Sequence, residues 1–195
     1  MELNSFLELL SALFSLVYVI LVIRQNIWCW INGIMGSGIA IYLFIQSGLY
    51  SEALLYGFYV LAGIYGWLVW SGVFSKGKPK QVQQWNWVKH LVFSLAALAL
   101  AVALAVFSNN LDGSKKVWAD GLSTAFSFLA TYMEAHKVLT AWVYWIAINA
   151  FSVWLYHSQG LNLLALNMVV YVPLSIYGLY SWRKAMLAQK AQTAL

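Results

Sequence analysis

The amino-acid sequence predicts an all-α integral membrane protein with seven transmembrane helices in a 3+1+3 parallel-repeat arrangement. Composition, a series of long apolar runs and an internal repeat at one fixed spacing predict it. Of 195 residues, 63% are hydrophobic and only 9% charged, whereas a soluble domain carries roughly a quarter charged residues. Water is therefore the wrong solvent for this chain. The net charge of +5 sits in short connectors beside apolar runs, which reads as a topology signal and speaks against a nucleic-acid surface.

A spanning helix needs about 20 mostly apolar residues, because the hydrocarbon is ~30 Å thick and each residue rises ~1.5 Å. Such runs lie near 6–23, 27–46, 50–71, 87–107, 118–134, 139–157 and 160–182. Lipid leaves no partner for a free backbone group, and the runs do not alternate strictly, so they are helices. The first has no basic segment before it and carries Glu2 and Glu8 ahead of its core, so it is expected to stay as a helix and not to be cleaved as a signal. The second is thinned by Gly33, Gly36 and Gly38, and the third carries Tyr56, Tyr59 and Tyr65-Gly66-Trp67. Pro173 in the seventh removes one backbone hydrogen bond and is expected to kink it.

Comparing each residue with the one 112 positions later, as from Gly48 to Gly160, reveals the repeat without a gap. Trp30, Gly48, Tyr59, Tyr65, Gly66 and Trp70 recur as Trp142, Gly160, Tyr171, Tyr177, Gly178 and Trp182, and Ser11, Phe14 and Ser15 as Ser123, Phe126 and Ser127. Leu and Val matches are cheap in membrane sequence, but matches of Gly, Trp and Tyr at one spacing are not. The expected division is a first three-helix repeat over 1–75, a connector and linker helix over 76–112, and a second repeat with a cytoplasmic tail over 113–195. The odd fourth helix lets both repeats run the same way through the bilayer. Parallel repeats of this kind recur in transporters, with substrate held at the repeat interface.

Orientation follows from Lys and Arg. One side holds Arg24, Lys76, Lys78, Lys80, Lys89, Lys137, Arg183, Lys184 and Lys190, and the other only Lys115 and Lys116. The positive-inside rule then puts the C-terminus in the cytoplasm and the N-terminus outside. Glu2, Glu8, Glu52, Asp112 and Asp120 fall on the outer side, where they either draw cations toward a vestibule or are simply tolerated.

On the sixth helix Trp142, Trp145, Asn149, Ser152 and Tyr156 share one face. An amide at membrane depth needs a partner, and Asn149 either bonds a neighbouring helix or meets a ligand. The flanking tryptophans favour a ligand, since flat apolar rings beside an amide suit an aromatic solute that forms hydrogen bonds. Tyr56 and Tyr59 on the third helix, and Asn167 and Tyr171 on the seventh, are further candidates, with interfacial or interhelical packing as the other account of each. Cys29 is alone, so no internal disulfide forms, and His90, His136 and His157 lie far apart without metal-ligand spacing. No cofactor is expected. Charged residues avoid the helix centres, which speaks against an enzyme, and the last helix has no Lys for a retinal Schiff base.

The segment Trp142-Val-Tyr-Trp145-Ile-Ala-Ile-Asn149, with Gln159-Gly160-Leu161, Gly48-Leu49-Tyr50 and Ile64-Tyr65-Gly66-Trp67, resembles the PnuC family of vitamin transporters over nearly the whole chain. The resemblance implies a 3+1+3, SWEET-like layout in a bacterial inner membrane. It implies facilitated diffusion of a vitamin or vitamin nucleoside, first of all nicotinamide riboside, with phosphorylation in the cell trapping the solute. It also implies a homotrimer, and Trp142, Trp145 and Asn149 as carried-over binding residues. The chain departs from nicotinamide riboside members at Tyr56 and Gly36, where they often carry Gln and Asn, and its Arg24-Gln-Asn-Ile-Trp-Cys-Trp30 stretch is similar to the thiamine-type branch. A thiamine transporter is therefore the first alternative, and a membrane receptor that binds without transport the second.

Overall fold

The computed structural model describes residues 2–47, 50–75, 77, 80–112, 117–160 and 162–193. It contains helices α1 (Glu2–Ile23), α2 (Cys29–Gln46), α3 (Tyr50–Trp70), α4 (Trp87–Asp112), α5 (Val117–Ala135), α6 (Ala141–Ser158) and α7 (Asn162–Thr193), with a 3-10 turn at Val73–Ser75. Gly48, Leu49, Lys76, Lys78, Lys115, Lys116 and Leu161, used above for repeat, motif or orientation, lie outside the described residues, as do the side chains of Glu2, Glu52 and Asp112. Among the described residues, four helices are long and apolar enough to cross a membrane, over Leu3–Ile23, Cys29–Gln46, Ala53–Ser75 and Trp87–Phe107. The other three carry the chain's more polar segments: α5 holds Asp120 and Glu134, and α6 and α7 are rich in Trp, Tyr, Asn and Ser. Helix α7 runs past the expected end at 182 through Arg183, Lys184 and Lys190 to Thr193, a length of about 48 Å. Good helix formers such as Ala185, Met186, Leu187 and Ala188 carry it on into this more polar stretch.

The chain divides into two compact units, residues 1–80 and 81–195. In the N-terminal unit α2 packs against both α1 and α3. Helix α1 ends where Gln25 takes a left-handed φ of 54°, and Asn26 then turns the chain by accepting the Trp28 N–H on its side-chain oxygen at 3.0 Å. Trp30 enters α2 fully buried, lying across Gly66 of α3 and meeting Trp70 edge-on at 5.5 Å and 89°. A Cβ at Gly66 would collide with the indole. Glycine here permits the close helix approach that stands in for hydrophobic driving force in lipid.

In the C-terminal unit α6 packs against α5 and α7, and α4 adds itself to α5. Buried Ala97, Ala101 and Ala105 form a seam of small residues on α4, and a Cβ on Gly121 of α5 would come within 2.8 Å of the Ala101 carbonyl oxygen. Before α4, Gln83 straps the chain to the α5–α6 connection. Its N–H donates to the Lys137 carbonyl at 3.0 Å, its carbonyl accepts from Leu139 N–H at 2.9 Å, and its Nε2 donates to the His136 carbonyl at 2.8 Å. Asn86 then caps α4, its side chain accepting the Lys89 N–H at 2.9 Å.

The 112-residue spacing reappears as geometry inside each unit. Lys137 repeats the left-handed turn of Gln25 with φ 51°. The Asn26 N–H to Leu21 carbonyl bond of 2.9 Å has its equivalent in Val138 to Met133, also 2.9 Å. Trp142 meets Trp182 edge-on at 5.4 Å and 86°, and a Cβ on Gly178 would strike its ring, as at Gly66 under Trp30. Both indole nitrogens, of Trp30 and Trp142, are buried without a hydrogen-bond partner among the described residues.

Candidate functional site

The sixth-helix face expected from spacing is present, and it turns inward within its unit. Trp142 is 2% exposed and fills the space between α6 and α7 above Gly178. One turn on, Trp145 is half-buried and makes no ring contact or hydrogen bond with a described residue. Asn149 is 7% exposed, and its Nδ2 donates to the Ser175 Oγ of α7 at 3.1 Å. Ser152 meets Ser123 of α5 through the two hydroxyls at 3.2 Å. Tyr156 is half-buried at the end of the same face. The polar positions of this stripe thus tie α6 to both neighbours, as expected where an unpaired polar group in hydrocarbon costs several kcal/mol.

The α7 candidates join the same network. Ser175 donates to the backbone carbonyl of Tyr171 at 2.8 Å. Tyr171 is half-buried, and its side chain interacts with that of Asn167, which is exposed one turn earlier. Asn149, Ser175, Tyr171 and Asn167 therefore form one chain of contacts across α6 and α7. Tyr56 and Tyr59 belong to the N-terminal unit, where their rings meet edge-on at 5.7 Å, 78°, and Phe44 of α2 approaches Tyr56 at 5.2 Å. At the end of α6, Gln159 Nε2 donates to Asp120 on α5 at 3.3 Å, so one of the acidic residues assigned to the outer side already has a partner.

Two features have no signal in the sequence. A cleft of about 380 Å³ opens between α5 and α6, lined by Leu122, Ser123, Phe126, Tyr144, Ile148 and Phe151 among others, and it takes in none of the seven candidate residues. Its lining is almost wholly apolar, so in sequence it is indistinguishable from a lipid-facing or packing surface. The second is a polar knot at the start of α4. His90 Nε2 lies 3.1 Å from Thr140 Oγ1, its ring stacks on Tyr144 at 5.9 Å and 19°, and the Tyr144 hydroxyl lies 2.8 Å from Ser94 Oγ. Sequence alone places His90 at a helix end, and only the fold brings it to α6.

A family model described as nicotinamide mononucleotide transporter matches residues 5–184. The nicotinamide riboside transporter PnuC of Escherichia coli K12 is 22% identical over 203 residues, covering 91% of this chain and 85% of that protein. The protein of the same name from Haemophilus influenzae is 23% identical over 185 residues, covering 93% and 80%. A crystal structure described as the vitamin B3 transporter PnuC superposes with a TM-score of 0.74 at 21% identity, over 94% of this chain and 83% of that one. At that identity the structural likeness speaks for the fold. The family and the four apolar helices together place the protein in a membrane. With the family model spanning nearly the whole sequence, the chain belongs to the nicotinamide mononucleotide transporter family, the PnuC family that its α6 motif resembles.

Proposed function

We propose that this protein carries a vitamin nucleoside, nicotinamide riboside in the first instance, across the bacterial inner membrane by facilitated diffusion, with phosphorylation in the cell trapping the solute. The observation that carries the reading is the α6 stripe, in which the half-buried Trp145 and the buried Asn149 stand in the W-x-x-W-x-x-x-N pattern of a chain in this family. A nicotinamide ring offers a flat π-face to indole and a carboxamide to an amide. Trp142 is the floor of this site, holding α6 to α7 through Gly178. Asn167 and Tyr171 extend the proposed lining along α7, and Tyr56 and Tyr59 are the proposed contacts contributed by α3 of the N-terminal unit.

The repeat supports a 3+1+3 layout, with α1–α3 and α5–α7 as the two copies and α4 as the returning helix. On this reading all seven helices cross, the N-terminus is outside and the C-terminus, with Arg183, Lys184 and Lys190, is in the cytoplasm. The relatives' names favour nicotinamide riboside. Thiamine is the second reading, favoured by Tyr56 and by the Arg24–Trp30 stretch, and homotrimeric assembly is the expected form. Purified protein in liposomes tests the reading. Labelled nicotinamide riboside should fill the lumen without any imposed gradient, and calorimetry should rank it above thiamine and riboflavin. Binding that saturates without filling the lumen would make the protein a receptor.

A further inference from the structure

Asn149 and Ser175 form a hydrogen-bonded pair whose direction is determined by the helix it rests on. Ser175 has one hydroxyl hydrogen, and it is spent on the Tyr171 carbonyl four residues back, at 2.8 Å. With that bond made, its oxygen accepts toward Asn149 at 3.1 Å, and Asn149 presents its NH2 end. The amide oxygen is then turned away from α7, and no described residue donates to it. Both residues are almost wholly buried, Asn149 at 7% and Ser175 at 4% exposure, and a turned amide would draw the serine hydrogen away from the Tyr171 carbonyl, leaving one hydrogen bond where the observed orientation makes two. In the N-terminal unit the equivalent positions hold Ser37 and Gly63, which make no such pair, so this polarity is confined to the C-terminal unit.

We propose that Ser175 is a positioning residue that sets the polarity of Asn149. The site then presents a carbonyl acceptor, and it selects solutes that bring an N–H donor there, a carboxamide or a ring amine, over those that bring a carboxylate. A carboxylate has no hydrogen to give and meets the negative end of the amide dipole. This inference rests on the reading that Asn149 touches the cargo.

The test compares nicotinamide riboside with the same riboside carrying a carboxylate in place of the carboxamide, by calorimetry on the purified full chain. The unaltered protein should bind the carboxamide at least roughly tenfold tighter, the scale of one well-placed hydrogen bond gained and one repulsion avoided. In Ser175→Ala the amide is free to turn its NH2 to the carboxylate, and the ratio should fall toward one. Ser175→Thr, whose hydroxyl can make the same bond to the Tyr171 carbonyl, should restore it. If Ser175→Ala does not fold, Ser175→Cys carries the same comparison, because a thiol accepts only weakly. Affinities that fall together with the ratio intact would mean that Ser175 is only structural, and the inference would be wrong. An unaltered protein that binds the carboxamide without preference overturns the inference alone, whereas one that binds neither riboside overturns the cargo reading and this inference with it.

Discussion

The N-terminal and C-terminal units share a frame and fill it differently. In both, a tryptophan at the start of one helix, α2 or α6, lies on a glycine of the next, α3 or α7, and meets a second tryptophan edge-on, at 5.5 Å in one unit and 5.4 Å in the other. The fillings diverge between α1 and α2 in one unit and α5 and α6 in the other. In the N-terminal unit Gly36 lets α1 come close: Ser11 donates to the Gly36 carbonyl at 3.0 Å, and a Cβ there would lie 3.2 Å from Phe14 Cβ. The equivalent residue is Ile148, and beside it, opposite Ser123 and Phe126, the α5–α6 cleft opens. Likewise Tyr18 rests on Gly33, while their equivalents are Ala130 and Trp145, so the bulky residue lies on α1 in one unit and on α6 in the other. The tryptophan joint between α2 and α3 recurs between α6 and α7, while the packing of α5 on α6 is looser than that of α1 on α2 and keeps the Ser123–Ser152 bond. In the C-terminal unit the joint also holds the buried Asn149–Ser175 pair.

The largest effect is expected at the shared joint. Gly178→Ala and Gly66→Ala each drive a methyl into a buried indole, and each should cost about 3 kcal/mol, the upper end for overpacking, read as a lowered melting temperature in detergent. Equal losses support a common frame, and a silent Gly66→Ala would break the comparison. Next comes the polar difference. Asn149→Leu should weaken solute binding by roughly 1–3 kcal/mol, measured by calorimetry, while Ser37→Ala at the equivalent position leaves affinity unchanged. Equal effects at both positions would show two polar sites where one is expected. A smaller cost, about 1 kcal/mol, is expected for Gly36→Ala, since a contact of 3.2 Å needs only a slight shift of Phe14. Ile148→Val in the open cleft should cost less still, and a larger loss would mean the cleft is tightly filled. Dissipating proton and sodium gradients should leave the initial uptake rate unchanged, and a collapse would replace facilitated diffusion with coupled transport.

Much of the fold is legible in the chain because the repeat is a property of spacing. The α2 and α6 boundaries, Cys29–Gln46 and Ala141–Ser158, lie one repeat apart, and the paired turns at Gln25 and Lys137 follow the same register. The shared α6 face follows from helical periodicity. Which neighbour each residue meets does not. Spacing offers Trp142 for ligand contact, and the fold gives it Gly178 and Trp182. For Asn149 the sequence leaves two accounts open, helix glue or ligand. Its partner on α7, Ser175, is hidden because a serine within a helix carries no mark of what lies opposite.

By itself, then, the sequence determined the solvent, the helices and the 112-residue repeat of side chains, because these depend on composition and on periods along one chain. Tertiary structure alone decided that Ile148 borders an open cleft where Gly36 closes one, that Gln83 straps the α5–α6 connection, and that Asn149 faces Ser175. Those outcomes depend on the distance and rotation between helices, which side-chain volumes on two partners set jointly and neither helix encodes alone.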